Sequence, residues 1–493
     1  MLTIRSHFGV AAVLLVAVGG ALYAQSGRIR VRTGPITVNP NVNVSIAAMR
    51  LHDDGRPGPD AAQVGTMLTA LGRTDATVCE IAVDMLGNSW GNWSGREASG
   101  LRDGQADRAL RQAFEGQVKD PAAIAALGTG LENENACVRR ASARLLGNSP
   151  NPDALVRLRS AFGGSNPRLR EVGALGLGIA EDMESFDELI AALRDGDAGV
   201  ARMSAWALGE IEDARAVPPL AAQLRASDRG LRLASIWALG EIEDGEAVEP
   251  LLPVLRDDDL GIRVAAAEAL GEIEDSRAVD GLVRALEDRE TEMRLAAIHA
   301  LGEIEDARAV PGLVRILSDD DASIRLASAH ALGEIEDAGA VDGLLRTLRD
   351  ENAGVRAASA HALGQIESPR AGEGLGAALR DQDPTVRLAA IHALSELDEL
   401  SVAPAGLVDA LKNSDPQMRE AAAHALGEMG DPSAVPALAE AYRGERSVAV
   451  RRAVVSALGE IEGARATETL VMAMKDADVE VRRAAAHALG ERE

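Results

Sequence analysis

A thirteen-residue phrase recurs along this chain at a fixed interval, and that interval constrains the fold more than any single motif. Arg294–Asp306 reads RLAAIHALGEIED, Arg325–Asp337 reads RLASAHALGEIED, and Arg263–Asp275 reads RVAAAEALGEIED, each 31 residues from the next. Counted on the glycine of ALG, the series runs Gly147, Gly178, Gly209, Gly240, Gly271, Gly302, Gly333 and Gly364. Ser395 then replaces glycine, followed by Gly427, Gly459 and Gly490, with two late intervals of 32. A period in the range of roughly 20–50 residues marks a solenoid or array, in which each unit contacts only its neighbours. The 493 residues therefore read as one elongated stack.

Each unit holds two amphipathic helices. The first is apolar at i, i+3, i+4 and i+7, as in Val279, Leu282, Val283 and Leu286 or Val310, Leu313, Val314 and Leu317. The second, counted from its glycine, is apolar at −9, −6, −5, −2, −1 and +2: Ile262, Ala265, Ala266, Ala269, Leu270 and Ile273 in one unit. Twelve residues before each glycine (or Ser395) stand Asn135, Asn166, Asp197, Asp228, Asp259, Glu290, Asp321, Asn352, Asp383, Asp415, Ser447 and Asp478. All but Glu290 are preferred N-caps, whose side-chain oxygen accepts from an otherwise orphaned N–H. Such a helix–turn–helix cannot bury its apolar face alone, so stacking completes the core. In the last copy Arg492 replaces the usual Ile at +2, as suits a terminal unit.

The N-terminal part differs. Arg5, the uncharged run Phe8–Leu22 and the small residue Ala24 before Gln25 have the layout of a secretory signal over residues 1–24. The body is then expected in the periplasm or secreted, or held by an uncleaved anchor. Residues 25–59, with RIRVR and PITVNPNVNVSI, read as an extended arm or linker; Arg28, Arg30, Arg32, Arg50 and Arg56 against Asp53 and Asp54 leave it basic. Residues 60–120 read as divergent repeats interrupted by a Gly/Ser-rich insert carrying Trp90 and Trp93. Capping the end of the stack is the favoured role for these two tryptophans, with a recognition loop as the alternative. Regular repeats fill 121–493. Cys79 and Cys137 lie some two repeats apart, beyond disulfide reach unless the intervening region folds back, which favours free thiols.

The pattern VRxAAxxALGEI, followed by a helix of the form DxxAVxxL, resembles the HEAT-like repeats of the phycobiliprotein-lyase (PBS lyase) type; the clearest copies are 262–275, 293–306, 324–337 and 481–491. The resemblance implies an all-α fold, a right-handed α-solenoid whose second helices line a concave binding face. It also implies a range of functions, from chromophore lyases to, more commonly, binding scaffolds. One departure is that Glu, not Gly, stands three residues after ALG, which leaves the geometry of that helix end open.

Two columns on the second helix carry chemistry. Eight residues before the glycine, Arg139, Arg170, Arg232, Arg263, Arg294, Arg325, Arg356, Arg387, Arg419, Arg451 and Arg482 repeat in nearly every layer, which points to structural pairing with cap-region carboxylates. Three residues before the glycine stand Trp206, Trp237, Glu268, His299, His330, His361, His392 and His424. Beside them fall Leu295, Leu326 and Leu388 at −7, and Glu303, Glu334, Glu396 and Glu428 at +1, so a Leu/His/Glu stripe with two tryptophans at its N-terminal end is expected to face the groove. One layer offers a metal only His plus Glu, and neighbouring helices stand about 8–10 Å apart. No nucleophile or acid pair is distinguished from its copies. Neither a metal, a cofactor nor catalysis is expected. A net charge of −26 disfavours nucleic acid and favours, if anything, a basic partner; the EIED turns supply an acidic ridge. The expectation is an exported, monomeric scaffold for a protein or peptide, not an enzyme, whose binding changes between about pH 5.5 and 7.5 as histidine titrates. The alternative is a lyase- or chaperone-like factor holding a chromophore or client.

Overall fold

The computed structural model describes residues 58–73, 117–397, 403–461 and 463–490. The signal segment, the arm, Cys79 and the Trp90/Trp93 insert lie outside them. Every element among the described residues is helical. Twelve second helices follow one another, from Ala136–Gly147 and Pro167–Ile179 to Val448–Glu460 and Val479–Gly490. Each is preceded by a shorter first helix, and in most middle units that helix is entered through one 3-10 turn, as in Ala307–Ala309 before Val310–Ile316.

Cap chemistry fixes where the second helices start. Asp197 accepts from Gly199 N–H and Val200 N–H, Asp321 from Ser323 N–H, and Ser447 from Val450 N–H. Glu290, the one cap residue with a longer side chain, makes no such bond. The helix ends turn on the unexpected glutamate. Glu181, Glu212, Glu243, Glu274, Glu305, Glu336 and Glu367 all adopt left-handed φ of 49–55°. Gly430 occupies the same place with φ 63°. The geometry is thus the one glycine serves at helix C-termini, held seven times by an L-residue. The following aspartate then caps the 3-10 turn: Asp306 accepts from Arg308 N–H, and its carboxylate also binds that arginine's side chain. The EIED ridge therefore divides into exposed glutamates and half-buried capping aspartates.

Burial on the second helix is wider than one apolar face. Positions −9, −5, −2, −1 and +2 are buried in the 291–304 helix, as are −4 (Ile298) and the glycine itself. Gly302, which lies nearly opposite the apolar face on a helical wheel, is covered by the next repeat. A Cβ there would meet Ala331 Cβ at 3.3 Å and collide with the Glu334 carboxylate. At Gly364 the neighbouring Ala393 Cα would lie at 2.8 Å, and at Gly271 Ala300 Cα at 2.9 Å. Glycine recurs because it lets successive second helices close on one another.

The arginine column ties the layers together along another line. Arg325 donates through Nη1 to the carbonyls of Asp319 and Asp320 in its own turn. It also grips Asp350 of the next repeat with Nε and Nη2, at 2.7 and 2.8 Å. Arg170–Asp195, Arg232–Asp257, Arg263–Asp288, Arg294–Asp319, Arg356–Asp381, Arg419–Glu445 and Arg451–Asp476 repeat the link. The expectation for the cysteines is corrected. Cys137 is disulfide-bonded, not free.

Candidate functional site

Three sides of each second helix from Pro167–Ile179 to Val448–Glu460 are occupied: one by its first helix and two by the neighbouring second helices. The open side includes a stripe at −7, −3 and +1. His299, His330, His361, His392 and His424 are all exposed along it, as are Glu303, Glu334, Glu396 and Glu428. Leu295, Leu326 and Leu388 are half-buried and lean on the core. His299 Nδ1 stands 3.9 Å from Glu303 Oε1, one helical turn on, and its side chain is 61% exposed. The Glu303 carboxylate raises the His299 pKa, whereas partial desolvation by the neighbouring layers, then the charges of His361 and His299, lowers that of His330. Partial desolvation raises the pKa of Glu334 and of Glu396. Consecutive histidines in one column thus differ in their readiness to charge. Among the described residues no group of three His, Cys, Asp or Glu side chains stands in a metal-ligating arrangement.

The N-terminal end of the stripe is built differently. The Trp206 and Trp237 rings stack with centroids 6.1 Å apart and planes 10° from parallel. Their edges rest on the glycines of the preceding repeats: Trp206 Cζ3 would lie 3.1 Å from a Cβ on Gly178, and Trp237 Cζ3 2.8 Å from one on Gly209. Farther along, that notch is taken by the +1 carboxylate, Glu303 over Gly271 and Glu334 over Gly302. In the tryptophan layers the +1 residues are Glu210 and Glu241, both half-buried. Glu210 is pushed up to about 7 by burial, then by the charge of Glu241, with Glu212 and Glu181 adding and Arg144 opposing.

Sequence reasoning named the two tryptophans and passed over Glu210, Glu241 and Arg144. Arg144 stands three residues before Gly147 and so belongs to the same column, two layers ahead of Trp206, with the buried Leu175 between. Continuing the column upstream was the signal that would have found it.

The stacked helical pairs define an α-solenoid of the kind that presents a long surface. The chain belongs to the HEAT-repeat family: that family's model matches in overlapping segments across residues 158–490. Among solved structures it is similar to importin beta at 14% identity and a TM-score of 0.56, over 86% of this chain and 68% of that one. It is also similar to Kap95p in its complex with RanGDP, at 13% identity and a TM-score of 0.48, over 86% of this chain but only 63% of the other. The complex of CpcE and CpcF of phycocyanin lyase from Nostoc sp. PCC7120 matches at 23% identity and a TM-score of 0.29, over 56% of this chain and 94% of that one. The comparison with curated proteins gives no match.

Proposed function

We propose that this protein is an exported scaffold that binds a protein or peptide along the concave face formed by its second helices, without catalysis of its own. The observation that carries the reading is the continuity of the stripe. Five consecutive layers expose the same His and, with one Gln365 exception, the same acidic residue, on the side of the second helices that their neighbours leave open. A repeated surface of amphipathic, partly titratable groups suits an extended partner better than a small substrate, which would need one distinguished site. HEAT-repeat solenoids offer long surfaces of this kind. Export rests on the signal-like pattern of residues 1–24.

The test is crosslinking in cells, with partners identified by mass spectrometry. Wild type is compared with a variant carrying Ala at His299, His330, His361, His392 and His424, whose helicity and melting are checked first. Loss of a specific crosslinked partner in the variant supports the reading; an unchanged partner set, or none in either, overturns it. A visible absorbance change on adding a tetrapyrrole would favour the chromophore-holding alternative instead. Fractionation tests export, the expected mature N-terminus being Gln25.

A further inference from the structure

The Trp206–Trp237 end of the stripe has a chemistry of its own, distinct from the His/Glu layers that follow. At each glycine from Gly240 to Gly364 the +1 side chain of the following repeat, a carboxylate except for Gln365, is seated against it. At Gly178 and Gly209 the indole edges take that seat, and Glu210 and Glu241 must lie elsewhere. Each carboxylate follows its tryptophan by four residues, so the two side chains share one helix face. The result is a half-buried aromatic pair flanked by two mutually repelling carboxylates. Among the described residues Glu210 makes no hydrogen bond or ion pair. The groups whose charge it feels are Glu241, Glu212 and Glu181, against the single cation Arg144.

Resting on the reading of this face as a protein-binding surface, we propose that its N-terminal end is a seat for an arginine side chain presented by an extended segment of a partner, the guanidinium lying against Trp206 and Trp237 and bonding the carboxylates of Glu210 and Glu241. Arginine fits better than other occupants for three reasons. Its planar cation stacks on indole faces, and Trp is the strongest cation–π partner. Its fork of donors satisfies two carboxylate oxygens at once. Its charge removes a repulsion that the free protein carries, and the −26 net charge steers a cation towards the surface. An apolar or anionic occupant would leave the half-buried Glu210 carboxylate covered without compensation.

The coupling has a pH signature. Glu210 titrates near 7 in the free protein and must be ionised to hold the guanidinium. Affinity therefore falls about tenfold from pH 8 to pH 6, as the ionised fraction drops from roughly nine-tenths to one-tenth.

The probe is the peptide acetyl-Gly-Arg-Gly-Arg-Gly-amide, with its citrulline analogue, which keeps the shape and loses the charge. Binding is read from tryptophan fluorescence in a Trp90→Phe, Trp93→Phe background and from calorimetry. The arginine peptide is expected to bind at least about tenfold more tightly than the citrulline peptide, and Trp237→Ala or Glu210→Gln to weaken it at least about fivefold. Glu210→Gln also abolishes the pH dependence. Trp237→Phe, which keeps an aromatic face, is expected to retain part of the binding and guards against misfolding in Trp237→Ala. Equal binding of the citrulline peptide, or indifference to Glu210→Gln in a protein of unchanged helicity, overturns the arginine seat. Failure here is distinguishable from failure of the scaffold reading. If the crosslinked partner is lost from the five-histidine variant but kept by Glu210→Gln and Trp237→Ala, the protein-binding face stands and the arginine seat falls.

Discussion

At Gly364 a single methyl group decides whether two repeats close. An alanine Cβ there meets backbone, Ala393 Cα at 2.8 Å, whereas at Gly302 the hardest collision is with the end of the Glu334 side chain, which can rotate away. Helix propensity favours alanine over glycine by about 1 kcal/mol at either position, and overpacking a tight contact costs about 1–3 kcal/mol. Gly364→Ala is therefore expected to lower the urea midpoint, and Gly302→Ala to leave it unchanged or raise it slightly. The seven left-handed glutamates make the opposite case. An L-residue in that conformation costs roughly 1–2 kcal/mol, of which glycine recovers all but its own entropic cost of about 0.5–1 kcal/mol. Glu305→Gly should raise the melting temperature and Glu305→Val lower it. The glycine column was plain in the sequence and its reason was not, because a wheel shows one helix and the constraint lies between two. Glu210 was equally hidden: its column was visible, but its half-burial, with an indole edge in the seat the +1 carboxylate takes elsewhere, is set by packing.

The second helix with its turn is where local chemistry was most legible. Asp, Asn and Ser at one register predict N-caps, and the one long side chain in that register, Glu290, is the one whose side chain does not cap. The arginine column was readable as structural, since a binding residue has no need to recur in every layer. Its register was not, since only the stack brings residue 325 beside residue 350. Arg325 and Asp350 are 8% and 10% exposed. Removing one partner there strands the other, so Arg325→Ala should cost on the order of 2 kcal/mol, read from urea unfolding. The links also set the acid limit. Hydrogen bonding from Arg419 holds Glu445 down at about 2 instead of its ordinary 4.5. Burial opposes ionisation of Asp350, but hydrogen bonds from Arg325 and from the Asn352 N–H hold its carboxyl low as well. Because these folded-state values are depressed, the stabilisation is complete above the unfolded pKa and is lost as pH falls through the folded one. Glu445 places that loss between about pH 4.5 and pH 2. Glu210 runs in the opposite sense: its value is raised, so its contribution favours folding below about 4.5 and is lost as pH rises through about 7. Glu210→Gln is expected to stabilise the fold at pH 8 and to do nothing at pH 4, checked by melting at both.

On the scale of the whole molecule the period does what a core does in a globular domain, and it can be cut accordingly. Removing Ala307–Asp337 deletes one 31-residue unit and joins Asp306 to Ala338, a junction equivalent to the native Asp337–Ala338. Arg294 then stands in the same relation to Asp350 that it held to Asp319, and Gly302 meets Ala362 and Gln365 where it met Ala331 and Glu334. Each lost contact is replaced by its copy, because contacts reach only one layer. The shortened chain should keep its helicity per residue and melt within about 5 °C of the parent, having lost one nearest-neighbour interface. Deleting residues 307–321 alone removes the same kind of residues but breaks the register, leaving an unpaired second helix and a displaced ladder; it should unfold the repeats around the cut. The two deletions also separate the two parts of the surface. The whole-unit deletion removes His330 and brings His299 next to His361, but leaves Trp206, Trp237, Glu210 and Glu241 three or more layers away. A partner spanning several histidine layers should lose affinity, while the arginine peptide should bind as before. Equal loss of both would mean that the tryptophan end is not independent of the histidine run, and the stripe would then be one site rather than two.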